Sequence, residues 1–300
     1  MKDTAEPKGG KIVVEPVEEL DFAEDPAEAL LILLNITHFR FTGIPTNLPL
    51  NILSGIAILC DQYDCVHLVK PWLSQWLANE NSEWKSTDPT PTRLVFGARP
   101  APPAPPAPPR EKWLFIAWVF GREQVLKDLA SLLVREISTY SKGTCAALAG
   151  NHGPMPPGII ESILVCRRVT IARLLAITAK CVSPFTDDPN DILCLYMNGT
   201  CDATTYGSLL RGLDIAKVNP KMNAEEYHNS VKTLSQGLSN LVIHVHPPNY
   251  GSYVAQDHSN CFTTDIKKEV EAVIAGIGDP VLEDHYFHMR VQQAKLRGML

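Results

Sequence analysis

Three cysteines and one histidine late in the chain are the residues best suited to chemistry. Cys194 and Cys201 bracket "CLYMNGTC", and His258 and Cys261 bracket "HSNC". Three thiolates and one imidazole make a complete tetrahedral zinc set, and both pairs fall in loop-like stretches between helical patterns, where ligands can turn toward one point. The spacing is not that of a standard finger: six residues separate the first pair, two the second, and the stretch 202–257 lies between them. Free cysteine also packs as a small hydrophobe, so a structural zinc site and plain core packing both fit these residues. His244 and His246 of "HVHPP" are candidate substitutes. A zinc-dependent enzyme built on the same set would need an open ligand position and a general base, for which Asp202 and Asp257 are the candidates.

An earlier stretch, "AILCDQYDCVHL", holds Cys60, Cys65 and His67. Cys60 follows Ile56 and Ala57 by one helical turn and joins their apolar stripe, while Cys65 and His67 fall beyond the "DQYD" turn. A five-residue step across a helix break is not common zinc spacing, so Cys60 reads as core and Cys65 as the start of the next helix. No nucleophile elbow, phosphate loop, dinucleotide fingerprint or zinc-protease helix occurs in the chain. Gly150, Asn151 and His152 in "AGNHGPMPPG" have no nucleophile motif to accompany them and read as a loop. These residues assign no catalytic role.

The elements that must position the late cluster are helices almost throughout. "AEDPAEALLILLNITH" predicts a helix capped by Asp25, with Pro26 and Glu28 in its first turn and so many leucines that it should be mostly buried. Two more follow up to Leu77, one carrying Ile52, Ile56, Leu59 and Tyr63, the other Leu68, Trp72, Leu73, Trp76 and Leu77. Beyond residue 111 the pattern is helical again: two segments broken near Gly121, then a long one with Ile160, Ile163, Leu164, Ile171, Leu174, Leu175 and Thr178 along one side. Tyr227, Val231, Leu234, Leu238 and Leu241 form a seam on a helix expected to start at Asn223, with Glu226 completing a capping box. Two helices close the chain. The only strand expected is "KIVVE", residues 11–15.

Between these blocks, residues 83–110 end in a proline tract that favours extended polyproline II. Arg99, Pro102 and Pro105 match one orientation of an SH3 ligand, and Pro105, Pro108 and Arg110 the other, although a plain spacer has the same composition. The domain plan is a tail over 1–24, a helical module over 25–82, a proline-rich linker over 83–110 and a helical domain over 111–300.

Three hundred residues, 45% hydrophobic, are enough to bury a sizeable core. A net charge of −6 from 27 basic and 33 acidic residues, without a long basic run, argues against a phosphate-tracking nucleic-acid surface. The first residues lack a secretory apolar segment and no apolar run is long enough for a bilayer, so an intracellular protein, cytoplasmic or nuclear, is expected. Its eight cysteines are then reduced thiols or metal ligands, and Asn35 and Asn198, in N-x-T triplets, have no glycan to carry.

The run "DPAEALLILLNITH…LNILSGIAILCDQYDCVHLVKPWLSQWL" resembles the C-terminal half of the BTB/POZ fold, particularly in fungal BTB domain-containing proteins. "WLFIAWVFG", the long helix before Cys181, "YGSLLRGL" and "HSNC" are similar to the helical extension those proteins carry. The resemblance implies a mainly α chain, a truncated BTB/POZ-like module followed by a helical domain, acting as a non-catalytic adaptor for other proteins. A BTB domain normally opens with strands and helices that supply its homodimer face and the segment that meets cullin scaffolds. Only a tail and "KIVVE" precede Asp25 here, so homodimerisation and cullin binding are not expected. Partner contacts are sought at Trp72, Trp76, Trp113 and Trp118, because aromatic anchors dominate interface energy.

Overall fold

The computed structural model describes residues 22–80, 84, 110–140, 154–188, 191–248 and 256–299. Residues 11–15, the glycine-rich loop at 150–152, and Arg99, Pro102, Pro105 and Pro108 lie outside them. Among the described residues the regular structure is helical, with ten α-helices and two short 3-10 turns.

Helix α1 (Ala27–Thr37) starts directly after Pro26, whose fixed φ suits a helix entrance. Asp25 does not cap it; its Oδ2 accepts the Tyr63 hydroxyl at 2.7 Å, which ties α1 to the end of the following helix. The burial expectation is corrected too. Ala29, Ile32, Leu33 and Ile36 face inward, while Leu31 and Leu34 are exposed. Helix α2 (Leu50–Gln62) buries Leu53, Ile56, Leu59 and Cys60, and α3 (Val66–Trp76) buries Val66, Val69, Leu73 and Trp76. A Cβ at Gly55 would sit 2.9 Å from the Cβ of Ala29, so the approach of α1 to α2 requires glycine there.

Helices α4 (Arg110–Val119) and α5 (Glu123–Glu136) break at Gly121, as the sequence predicts. Every residue from Trp113 to Phe120 is buried. A helix apolar on all sides must be central, and α4 packs between α2, α5 and the last helix. Helix α6 (Ile159–Thr186), 28 residues and therefore about 42 Å long, leaves a left-handed Gly158. It is followed by α7 (Gly199–Ile215), α8 (Val231–Ser239), α9 (Ile266–Ala275) and α10 (Glu283–Arg297).

The apolar interior falls into two cores. The first joins α1–α5 to Ile159 and Ile163 at the start of α6 and to Met289 of α10. The second gathers Ile171, Leu174, Leu175, Ile177, Cys181 and Val182 of the same α6 with α7, α8 and α9. The change-over therefore lies within α6. Arg167 sits at that point, buried, donating from Nε to the Ile137 carbonyl (3.2 Å) and from Nη2 to the carbonyls of Tyr227 (3.1 Å) and Asn229 (2.7 Å).

This demand explains a second correction. Asn223 and Glu226 do make reciprocal capping bonds, yet they close only a turn. The chain at 227–229 is diverted to offer its carbonyls to Arg167, and α8 begins at Val231, where Ser230 Oγ accepts the Thr233 N–H at 3.0 Å. Tyr227, Val231, Leu234 and Leu238 are nonetheless all buried, as the seam requires.

Candidate metal centre

The strand-free stretch before α7 folds back on that helix because two side chains bind backbone amides. Asp202 Oδ2 accepts the Leu193 N–H at 2.7 Å. Asn198, the N-cap, accepts the N–H groups of Thr200 (2.9 Å) and Cys201 (3.3 Å) through its side-chain oxygen. Between them the Met197 N–H closes a turn onto the Cys194 carbonyl at 2.8 Å, and Met197 takes a left-handed φ of 51°. Cys194 is thereby turned toward Cys201, in the first turn of α7. Far along the chain, Asp257 accepts the Ser259 N–H at 3.0 Å and starts a 3-10 turn, His258–Asn260, which brings His258 and Cys261 to the same side.

The four donor atoms converge within 4.8 Å of one another. Cys194 Sγ lies 3.3 Å from His258 Nδ1 and 3.6 Å from Cys261 Sγ, and Cys261 Sγ lies 3.6 Å from His258 Nδ1. Tetrahedral zinc with thiolate bonds near 2.3 Å and an imidazole bond near 2.0 Å spaces its ligands about 3.5–3.8 Å apart. The fit is close for three of the four ligands, and Cys201 Sγ stays within the common radius. Cys194, Cys201 and His258 are buried, with Cys261 half-buried. The cluster can hold a metal ion such as zinc, and among the described residues it is the only group of three or more such side chains brought together in this way.

The surroundings divide the thiols. Burial alone would push Cys194 up, but the N–H groups of Tyr196 (3.4 Å) and Asn198 and bonds from Cys261 and Cys201 bring it below the ordinary thiol value. Cys261 is pushed up to about 11, chiefly by burial and by its neighbouring thiols, against the opposing Leu195 N–H. The His258 ring meets Tyr196 edge-on at 5.0 Å and His246 at 5.3 Å. Of the two histidines of "HVHPP", His246 lies beside the cluster, and the His244 backbone N–H donates to Ser208 Oγ at 2.9 Å. Tyr196 and Asn198 were not singled out by sequence reasoning as parts of the site. The Asn-Gly-Thr run directly before Cys201 was the available signal, since it is a helix-cap pattern.

The other nominated residues go elsewhere. Both carboxylates proposed as bases are bonded to backbone amides, Asp202 to Leu193 and Asp257 to Ser259, and backbone and side-chain bonds to Ser259 hold Asp257 below the usual carboxylate range, opposite to what a base working near neutrality needs. Cys60 is enclosed in the first core, where its contact with Cys65 and its burial raise its thiol well above the ordinary value, and His67 is exposed. Arg110 opens α4, paired with Glu136 and donating to the Trp84 carbonyl at 3.2 Å, so its guanidinium is engaged inside the fold rather than offered to an SH3-type groove. Trp76, Trp113 and Trp118 are buried and are not exposed anchors. Trp72 is half-buried in a row with Phe41 and Phe39.

Compared with protein-family models, curated proteins and solved structures, the chain matches none. Among the described residues no helix is long and apolar enough to cross a membrane.

Proposed function

We propose that this chain is a non-catalytic protein–protein interaction protein of the BTB/POZ adaptor kind, acting in the cytoplasm or nucleus, whose Cys194, Cys201, His258 and Cys261 hold a structural zinc ion. The observation that carries the reading is the closed donor set. Catalytic zinc keeps one position for water or substrate, and structural zinc is ringed by four protein ligands. Here four donors converge and the adjacent carboxylates are committed to backbone amides. The rival, a zinc-dependent enzyme, would need an open position and a base, and the two carboxylates considered for that role are both bonded to backbone amides.

The surface suited to a partner is the row Phe39, Phe41 and Trp72. Phe39 is 80% and Phe41 52% exposed, an unusual cost for two aromatic rings unless something covers them. Removing residues 1–82 is a poor test, because α2 and α3 pack on α4 and α10 and their loss would open the first core. Substitution at the surface is cleaner: Phe41→Ser together with Phe39→Asn, since asparagine tolerates the left-handed φ of 57° at that position. Proximity labelling with the intact chain should enrich a defined set of proteins, and the double variant should lose it while its circular dichroism is unchanged. Enrichment of nothing above control, or an identical set from the variant, would sink the adaptor reading.

A further inference from the structure

The metal ligands stand at the entrances of two helices of the second core. Cys201 lies in the first turn of α7, above the buried Thr205, Leu209 and Leu213. Cys261 leads through Phe262, packed against the same core, to Asp265, the cap of α9. Several bonds of these stretches are local. Leu193 reaches Asp202, Met197 reaches Cys194, Ser259 reaches Asp257, and Cys261 reaches His258. Among the described residues, 191–198 meets 256–261 at the cluster itself, with the Leu195 N–H at Cys261 and the Tyr196 ring at His258.

The first core holds none of the four ligands and has all five tryptophans of the chain. Trp76, Trp84, Trp113 and Trp118 are inside it and Trp72 packs against it. Helix α6 is shared, but its two halves serve different cores on either side of Arg167.

We infer that the zinc ion is a folding cofactor of the second core alone. With metal bound, the second half of α6 packs with α7, α8 and α9; without it this half loses its order, while α1–α5 and α10 stay assembled. The inference rests on the structural-zinc reading above. Its physical basis is linkage: an ion that binds only the assembled ligand set stabilises the unit whose folding assembles that set. A neighbouring unit with its own closed core gains little.

The distribution of tryptophans supplies the test. The full chain, purified under reducing conditions, is assayed for zinc, stripped with a chelator at neutral pH, and reloaded with zinc or cobalt. Cobalt in a site of three sulfurs and one nitrogen is expected to show intense tetrahedral visible bands and sulfur-to-metal charge transfer. Stripping should lower the helical circular-dichroism signal by roughly two fifths, the share of the described helix in the second core, and leave the tryptophan emission maximum in place. Zinc should restore the lost signal. A red shift of tryptophan emission together with the loss of helix would overturn the partition and leave the zinc site standing. Bound zinc whose removal changes neither signal would overturn the folding role. A chain with no zinc that takes up no cobalt would remove the structural-zinc reading and this inference with it.

Discussion

Arg167 places a guanidinium in the interior, where it donates to the carbonyls of Ile137, Tyr227 and Asn229. Those carbonyls come from two loops that no helix satisfies, so the side chain does the work of three separate caps. Arg167→Met is expected to lower unfolding free energy by about 3 kcal/mol or more, because it deletes charge-assisted bonds and leaves buried acceptors unpaired. Arg167→Lys should recover little, since one ammonium cannot span three acceptors arranged around a planar fork. Urea titrations of the three chains check this, and a lysine variant as stable as the parent would show the fork to be dispensable.

His288 sits half-buried on the face of Trp118, ring centroids 3.7 Å apart and nearly parallel. Burial, then the positive Lys295, push it below its ordinary value; Asp64 opposes them and His285 adds to them. A histidine whose folded value lies below its unfolded one binds fewer protons in the folded chain. Its contribution is therefore intact above about pH 6.5 and drains away as pH falls toward the folded value. Thermal midpoints of the parent and His288→Gln should converge between pH 7.5 and 5.5, the parent losing more. Parallel curves would contradict the assignment.

At this scale the metal cluster was half legible. Residue type nominated Cys194, Cys201, His258 and Cys261, and the structure brings those four together. Their meeting depends on the return of the chain through α7, α8 and the stretch beyond, a three-dimensional fact absent from any local spacing. The tryptophans mislead for a related reason. Composition marks Trp113 and Trp118 as anchors in general, but only their place in the fully buried stretch 113–119 of α4 reveals that they face the core.

The helices show which signals are local and which are not. Gly121 was readable as a break because nothing else in "WVFGREQ" stops an apolar run, and it does take φ 64° between α4 and α5. Its surroundings add a second requirement. A Cβ there would lie 2.7 Å from Gln293 Cγ and 2.8 Å from the Met289 carbonyl oxygen of α10. Gly121→Ala should therefore cost about 2 kcal/mol or more, combining a left-handed alanine with displacement of a helix backbone. Guanidinium titration followed by tryptophan emission reads it directly, and a cost below half that value would mean α10 gives way freely. The start of α8 was not readable by the same rules. Asn223 and Glu226 spell a capping box, but the residue that overrides it, Arg167, lies 60 positions from Tyr227. The amphipathic seam survived the error because the same side chains point inward whether the backbone at 227–230 is helical or diverted. The leucine-rich α1 erred in the other direction: composition pointed to a mostly buried helix, whereas a helix at the edge of the first core leaves Leu31 and Leu34 exposed.

For the whole molecule, the proline tract was the sequence's clearest boundary, yet the apolar interior changes over inside α6. A single helix crossing two cores gives each a claim on the other's stability, to which Arg167, the Thr139 N–H on the His228 carbonyl and the α5–α8 contact add. Two truncations measure that claim without touching the metal. Leu129→Ala, in the first core, and Leu234→Ala, in the second, remove side chains of equal size and full burial and should each cost roughly 3 kcal/mol locally. With zinc bound, Leu234→Ala should lower the denaturation midpoint seen by circular dichroism and leave that seen by tryptophan emission nearly unmoved, since every tryptophan belongs to the other core. Leu129→Ala should move the emission midpoint. If both variants shift both probes by the same amount, α6 couples the cores into one cooperative unit, and the long helix, rather than either cluster of leucines, sets the stability of the chain.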